Sequence, residues 1–328
     1  MILEEKTAYL IFVYFIVLII VSRLYILLAK RFDIVDIPNQ RSSHTKLTIR
    51  GGGVLFFAAL LIYFFHTNFE EPLLFGGFTL LAVTSFIDDV KGLSVKQRIP
   101  VQFVAIMLLL FHIYGLTSVS VLLFIVILFT GVLAINCFNF IDGINGMLGF
   151  YSLVVLVILA IINYHENLVN PFLIWLPLLS LLVFGFYNFR LKALFFSGDV
   201  GSMTLALLIF YLVTLFTIEL EAPMLLLIIS VYLTDTIGTL VKRFVEKKNI
   251  FAAHREHLYE RLANVEKVPH LRISLLYGFV QAVLGIIVLF LYKLNLGIQI
   301  IVVLIGAIAM AFTYFLLNRK IGKELEAI

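Results

Sequence analysis

Residues 118–146 read Ser118-Val-Ser-Val-Leu-Leu-Phe-Ile-Val-Ile-Leu-Phe-Thr-Gly-Val-Leu-Ala-Ile-Asn136-Cys-Phe-Asn139-Phe-Ile-Asp142-Gly143-Ile-Asn145-Gly146. From 118 to 138 there is no Asp, Glu, Lys or Arg. An apolar run of that length, wound as a helix, crosses a hydrocarbon layer of about 30 Å. It ends in a short polar cap punctuated by glycine. The same alternation fills the chain: apolar blocks of 16 to 22 residues recur between polar loops. Over 328 residues, 62% are hydrophobic and 13% charged, against about 45–50% and roughly 25% in soluble domains. This excludes an ordinary globular enzyme and a disordered chain. It also excludes a nucleic-acid binder, despite the net charge of +4. The expected fold class is all-α, a polytopic membrane helix bundle.

Polar, Gly, Pro and Asn punctuation divides the chain into eleven spans, with ten as the alternative count. They cover 8–29, 51–66, 72–87, 99–114, 118–138, 147–164, 171–188, 200–217, 222–240, 273–292 and 297–317. The weakest boundary lies between the fourth and fifth. No internal repeat or low-complexity linker divides the sequence, so residues 1–328 are read as one integral membrane domain. Glu4 and Glu5 in the leading segment, a long apolar run and no A-x-A site argue for a first span rather than a cleavable signal. A single cysteine, Cys137, allows no intramolecular disulfide.

Loops 30–50, 88–98, 139–146, 189–199 and 241–272, with the tail 318–328, carry 21 of the 24 Lys and Arg residues. The opposite side has Lys6 and Lys293, and Arg23 lies inside the first span. The positive-inside rule then places the N-terminus outside and the C-terminus in the cytoplasm. The outer loops are short and mildly acidic, too small to hold a site. Function is expected on the cytoplasmic face, where a basic field meets anionic headgroups and attracts anionic substrates.

Asp88, Asp89, Asp142 and Asp199 lie at the cytoplasmic mouths of spans, where an unpaired carboxylate is costly and marks function. The adjacent pair Asp88-Asp89 suits Mg²⁺, which takes one or two protein carboxylates and leaves places for phosphates. Asn139, Asp142 and Asn145 recur every three residues, so a helical turn would stack them on one face as a ligand site. A polar cap and turn is the plainer alternative. Asp199, between Gly198 and Gly201, begins the eighth span and can both cap it and hold a metal with phosphate at the helix N-terminus.

In loop 241–272, His254 and His257 would share a helical face, with Arg261 one turn on. No Cys or third His completes a zinc site. Imidazole and guanidinium suit phosphate or sugar hydroxyls, and a surface amphipathic helix is the alternative. In the first basic loop Arg41, Lys46 and Arg50 precede Gly51-Gly52-Gly53, giving cations and backbone amides around a phosphate, or tight packing by small residues. Neither a P-loop nor a G-x-G-x-x-G occurs. Asp235, inside the ninth span, reads as a neutralised core group or a partner to a site residue.

Six stretches in order resemble the polyprenyl-phosphate N-acetylhexosamine-1-phosphate transferases, the WecA/MraY-like glycosyltransferase family 4. They are Asp36-Ile-Pro-Asn-x-Arg41-Ser-Ser-His44 with Arg50-Gly-Gly-Gly53; Asp88-Asp89; Asn139-x-x-Asp142-Gly; Ser197-Gly-Asp199-Val-Gly-Ser202; Asp235-Thr with Arg243; and His257-Leu-Tyr-Glu-Arg261-Leu. The first is closest to the branch that starts O-antigen or capsule synthesis. Two positions depart from the family pattern. Tyr259 and Glu260 stand where the family has His, and Asn145 where members often carry an Asp associated with uracil recognition.

The resemblance implies transfer of N-acetylhexosamine 1-phosphate from a UDP-sugar, by default UDP-GlcNAc, to undecaprenyl phosphate, releasing UMP. It implies a bacterial inner-membrane location, Mg²⁺ or Mn²⁺ as cofactor, and a bilayer and a second copy of the chain as partners. Asp199 would be the principal Mg²⁺ ligand, assisted by Asp88 and Asp89, with Asp88 alternatively a base. Asn139, Asp142 and Asn145 would hold the nucleotide. Lys46, Arg50, Lys96, His254, His257 and Arg261 would bind phosphate or sugar. The rivals are a secondary transporter of an anionic solute, which places its site near the midplane, a CDP-alcohol phosphatidyltransferase, whose Asp spacing is missing, and a non-catalytic scaffold.

Overall fold

A computed structural model describes residues 2–37, 47–115, 120–249 and 254–326. Among these residues the regular structure is helical apart from one pair of two-residue strands. Helix α1 covers Ile2–Arg31, β1 Val35–Asp36, β2 Thr48–Ile49, α2 Val54–His66, α3 Pro72–Lys91, α4 Val95–Tyr114 and α5 Val121–Ile141. There follow α6 Met147–Glu166, α7 Phe172–Asn188, α8 Gly198–Glu219, a 3-10 helix Pro223–Ile229, α9 Ser230–Val245, α10 Leu258–Asn264, α11 His270–Leu291 and α12 Leu296–Glu326.

Each of the eleven expected spans meets an apolar helix. Among the described residues nine segments are long and apolar enough to cross a membrane, while α2 and α7 are shorter. The chain is a polytopic membrane helix bundle.

Helix α8 is its hub. In its most apolar stretch 83% of residues are buried, against 6% in α12. It packs on α2, α3, α5, α6 and the 3-10 helix. Small residues allow this closeness: a Cβ on Gly53 would fall 2.1 Å from the Gly201 Cα, so α2 and α8 meet backbone to backbone. Gly52 and Gly53 therefore serve packing. The amides of Gly52 and Gly53 bond the carbonyls of Phe196 (2.7 Å) and Ser197 (2.8 Å).

The ninth span is broken where the 3-10 helix meets α9. A break inside a membrane must have its backbone groups satisfied by protein. Buried Gln281 of α11 does this, giving Nε2 to the Leu227 carbonyl (2.9 Å) and accepting the Val231 amide (3.3 Å) and the Tyr151 hydroxyl (2.9 Å) on Oε1.

The first basic loop reaches the bundle through the β1–β2 pair, Val35 opposite Ile49 and Asp36 opposite Thr48. Ile49 also accepts the Phe196 amide at 2.8 Å. Arg50 is thereby held beside the start of α8.

Overpacking a close backbone contact costs about 1–3 kcal/mol. Gly53→Ala is expected to lower the thermal melting temperature in detergent. Gly76→Ala, whose Cβ would meet only Leu108 Cδ1 at 3.8 Å, serves as the control and should leave it unchanged or raised.

Candidate active site

The carboxylates of three distant motifs meet where α3 ends, α4 begins and α8 begins. Asp89 is fully buried and sends both oxygens to the N-terminus of α8. Its Oδ1 accepts the Asp199 amide at 2.8 Å and its Oδ2 the Val200 amide at 3.0 Å. These are unpaired first-turn donors of the helix. The cap was expected from residues local to α8; it comes instead from a neighbouring helix. Gly198, at φ +71°, makes room, since a Cβ there would lie 2.4 Å from Asp89 Oδ2.

Two arginines bridge the cluster. Arg50 Nε lies 2.7 Å from Asp89 Oδ1 and its Nη2 3.2 Å from Asp199 Oδ1. Arg98 Nη1 lies 2.9 Å from Asp88 Oδ2 and 3.1 Å from Asp199 Oδ2. Asp88 also accepts the Leu93 amide across the Gly92 turn. Arg98 was not among the expected site residues. The signal available was its place in the first turn of α4, behind the capping box of Ser94 and Gln97.

The expected face of Asn139, Asp142 and Asn145 does not form, because α5 stops at Ile141. Asn139 donates to Ser202 Oγ at 3.0 Å, and Ser197 Oγ donates to Asp142 Oδ2, so these two reach the start of α8. Asn145 turns away and ties down the carbonyls of Arg190 (2.9 Å) and Leu191 (3.3 Å). Desolvation, with the charges of Asp199 and Asp89 adding, pushes Asp142 up to about 8. At neutral pH its carboxyl is then largely protonated and can donate as well as accept.

The 254–264 segment is anchored beside this site by a second cross-helix cap. Buried Asp235 accepts the amides of Leu258 (2.8 Å) and Tyr259 (3.2 Å) and the Tyr277 hydroxyl (2.6 Å). The helix starts only at Leu258, so His254 and His257 do not share a helical face. His257 is its N-cap residue, and its ring lies 4.9 Å from that of His254. Burial first, then His257 and Arg243, brings His254 down to about 4, leaving it neutral at pH 7. Tyr259 donates to the Phe140 carbonyl at 2.9 Å, joining α10 to the end of α5. Arg261 is buried and bonded to Asn318 of α12; it packs α10 and is not turned to the carboxylates. Lys96 is exposed in the first turn of α4, two residues before Arg98. Lys46, with Arg41 and His44, lies outside the described residues.

The structure thus brings together Asp88, Asp89, Asp199, Arg50, Asn139 and Asp142, with His254 and His257 on the adjoining segment. It places Asn145 and Arg261 in packing roles. Two carboxylates from different helix ends that converge on one guanidinium nitrogen form an oxygen donor set suited to a hard cation and phosphate.

Residues 72–217, which contain Asp88, Asp89, Asn139, Asp142 and Asp199, match the model of glycosyl transferase family 4. A probable undecaprenyl-phosphate N-acetylglucosaminyl 1-phosphate transferase of Bacillus subtilis (strain 168) is 26% identical over 286 residues, covering 79% of this chain and 78% of that one. An undecaprenyl-phosphate alpha-N-acetylglucosaminyl 1-phosphate transferase of Yersinia pestis is 28% identical over 256 residues, 70% of each chain.

Burial pushes Glu260 up to about 7. Its contribution to holding the 254–264 segment is therefore full below its unfolded value of about 4.3 and is lost as pH rises through about 7. His254, depressed, works in the opposite sense below about 6.5. Hydrogen exchange of α10 amides should slow less, between pH 5 and 7.5, than in Glu260→Gln once both are corrected for intrinsic exchange. Equal behaviour of the two proteins contradicts the assignment.

Proposed function

We propose, from the likeness of residues 72–217 to glycosyl transferase family 4 and of the chain to the two transferases above, that the protein is a WecA/MraY-like polyprenyl-phosphate sugar-1-phosphate transferase that moves N-acetylglucosamine 1-phosphate from UDP-GlcNAc to undecaprenyl phosphate. The reaction runs at the basic-loop face, read as the cytoplasmic side of a bacterial inner membrane, and starts an O-antigen, capsule or other envelope polysaccharide. The observation that carries this reading is the convergence of Asp88, Asp89 and Asp199 with Arg50 and Arg98 at one helix mouth. That position lets a lipid phosphate arrive from the bilayer and a sugar nucleotide from water. The matches lend no support to the transporter alternative.

An oxygen of the lipid phosphate attacks the β-phosphorus of the donor. A new phosphoanhydride bond forms, the bond from β-phosphorus to the bridging oxygen breaks, and UMP leaves with the electron pair. Such transfers depend on positioning and charge stabilisation more than on covalent chemistry. Asp199 and Asp88 fit a Mg²⁺ ion, or Mn²⁺ in its place, by the donor set they present. When bound, the ion neutralises the diphosphate and the charge developing on the leaving phosphate.

Asp89 has both oxygens committed to the α8 amides and Arg50. Its part is to fix Asp199 rather than to meet substrate. Arg50 bridges Asp89 and Asp199, and Arg98 bridges Asp88 and Asp199. Exposed Lys96 sits where a phosphate would approach. Asn139 and Asp142 offer amide and carboxyl groups to the nucleotide or sugar, with the neutral imidazole of His254 as a further hydrogen-bonding group. A lipid phosphate, with a second pKa of about 6, is mostly ionised at neutral pH, so a base is a secondary role for Asp88.

Purified protein with undecaprenyl phosphate, UDP-GlcNAc and Mg²⁺ should release UMP, and EDTA should stop it. Asp199→Ala should reduce the rate by at least about a hundredfold, the scale of removing one transition-state charge stabiliser. No UMP from folded protein with any UDP-N-acetylhexosamine overturns the assignment.

Asp89→Asn should keep one acceptor for the helix amides and lose the charge pairing with Arg50. We expect kcat lowered about tenfold and a melting temperature between those of wild type and Asp89→Ala, since Asn leaves one helix amide unpaired where Ala leaves two, at about 1–3 kcal/mol each. An Asn variant with wild-type kcat would remove Asp89 from the positioning role.

A further inference from the structure

An apolar groove of about 950 Å³ runs between α9 and α12, away from the carboxylate cluster. Leu233, Ile237 and Val241 of α9 and Ala307, Ala311 and Phe315 of α12 form its walls. Helix α12 is the least buried span, so the groove opens where hydrocarbon surrounds the bundle. The small side chains of Ala307 and Ala311 leave the space, while Gly238 lets Tyr314 close the interior side; a Cβ there would lie 2.6 Å from Tyr314 Cε1.

The basic-loop end of the groove is polar. Lys242, Glu246, Asn318 and Arg319 line it. Lys242 and Glu246 form only a loose pair at 3.9 Å, and Arg319 is exposed. Glu246 is held more closely by Lys248, at 2.7 Å, so Lys242 and Arg319 leave at least one positive charge at the point where lipid headgroups lie. Basic pockets between membrane helices at this depth take anionic headgroups.

We propose that this groove is a binding site for an anionic glycerophospholipid, its phosphate at Lys242 and Arg319 and its acyl chain along the α9–α12 wall. The occupant differs from the transfer acceptor for a structural reason. Asp235 does not line the groove; it anchors α10. Between them Arg261 is bonded to Asn318, so α10 separates the groove's charged end from Asp88 and Asp199. A lipid seated there holds α12 against α9, and with it the Asn318 acceptor that fixes α10. The inference does not depend on the transfer reaction.

Native mass spectrometry of the full chain in detergent, titrated with phosphatidylglycerol, phosphatidylcholine or undecaprenyl phosphate, tests it. Wild type should retain one phosphatidylglycerol at least about fivefold more tightly than phosphatidylcholine, the effect of one net cation near a headgroup. Arg319→Gln should erase most of that preference, and Ala311→Trp should abolish retention of both phospholipids. Gel filtration and circular dichroism check that each variant is folded. Equal retention of the two phospholipids, or an Arg319→Gln preference matching wild type, overturns the proposal. So does displacement of phosphatidylglycerol by stoichiometric undecaprenyl phosphate, which would make the groove the acceptor's own.

Discussion

The buried Asp89 carboxylate is the contact on which the active-site architecture depends. The first amides of α8 have no partner within their own helix, and α8 is the most deeply buried span. Water cannot reach its start freely, so an acceptor must come from protein. Asp89 supplies it from the last turns of α3. A buried carboxylate is itself expensive unless paired, and Arg50 provides the pairing. Arg50 in turn depends on the short β1–β2 pair and on Gly51–Gly53, which press the first loop against the strand-like segment 195–197. One electrostatic requirement thus links α3, α8 and a loop that precedes both.

The same solution occurs twice. Asp235 of α9 caps α10 as Asp89 of α3 caps α8. The difference lies in what balances the charge. Asp89 meets a guanidinium, while Asp235 is surrounded by the hydroxyls of Tyr277 and Thr239, with His257 Nδ1 3.5 Å away. Arginine pairing leaves Asp199 beside a region of alternating charge open to polar ligands. Hydroxyl solvation makes the Asp235 centre an anchor, and its output is the position of the 254–264 segment.

Within the mouth, each carboxylate has a separate part set by its partners. Asp89 is saturated by backbone amides and Arg50. Asp88 and Asp199 share Arg98 and are the groups from which a cation or a phosphate could displace a protein contact. Arginine suits this position because its fork can serve two carboxylates at once and stays charged.

How much of this was legible in the sequence follows from the physics of each feature. The hydrocarbon thickness sets the length of an apolar run, so the sequence by itself determined that the chain is a polytopic helix bundle and roughly where its apolar helices lie. The cost of a carboxylate at a membrane mouth singled out Asp88, Asp89, Asp142 and Asp199. Which of them supports the fold was decided only by tertiary structure, because their partners lie on other elements, from 10 residues away for Asp88 and Arg98 to 110 for Asp89 and the Asp199 amide. Local periodicity grouped Asn139 with Asn145 and His254 with His257. It failed there because α5 ends at Ile141 and α10 starts at Leu258, limits fixed by Ser197, Asp235 and Tyr259 across the bundle. Arg98 left only its place in the first turn of α4 as a mark and Gln281 left none, since the groups they satisfy come together only once the helices have packed.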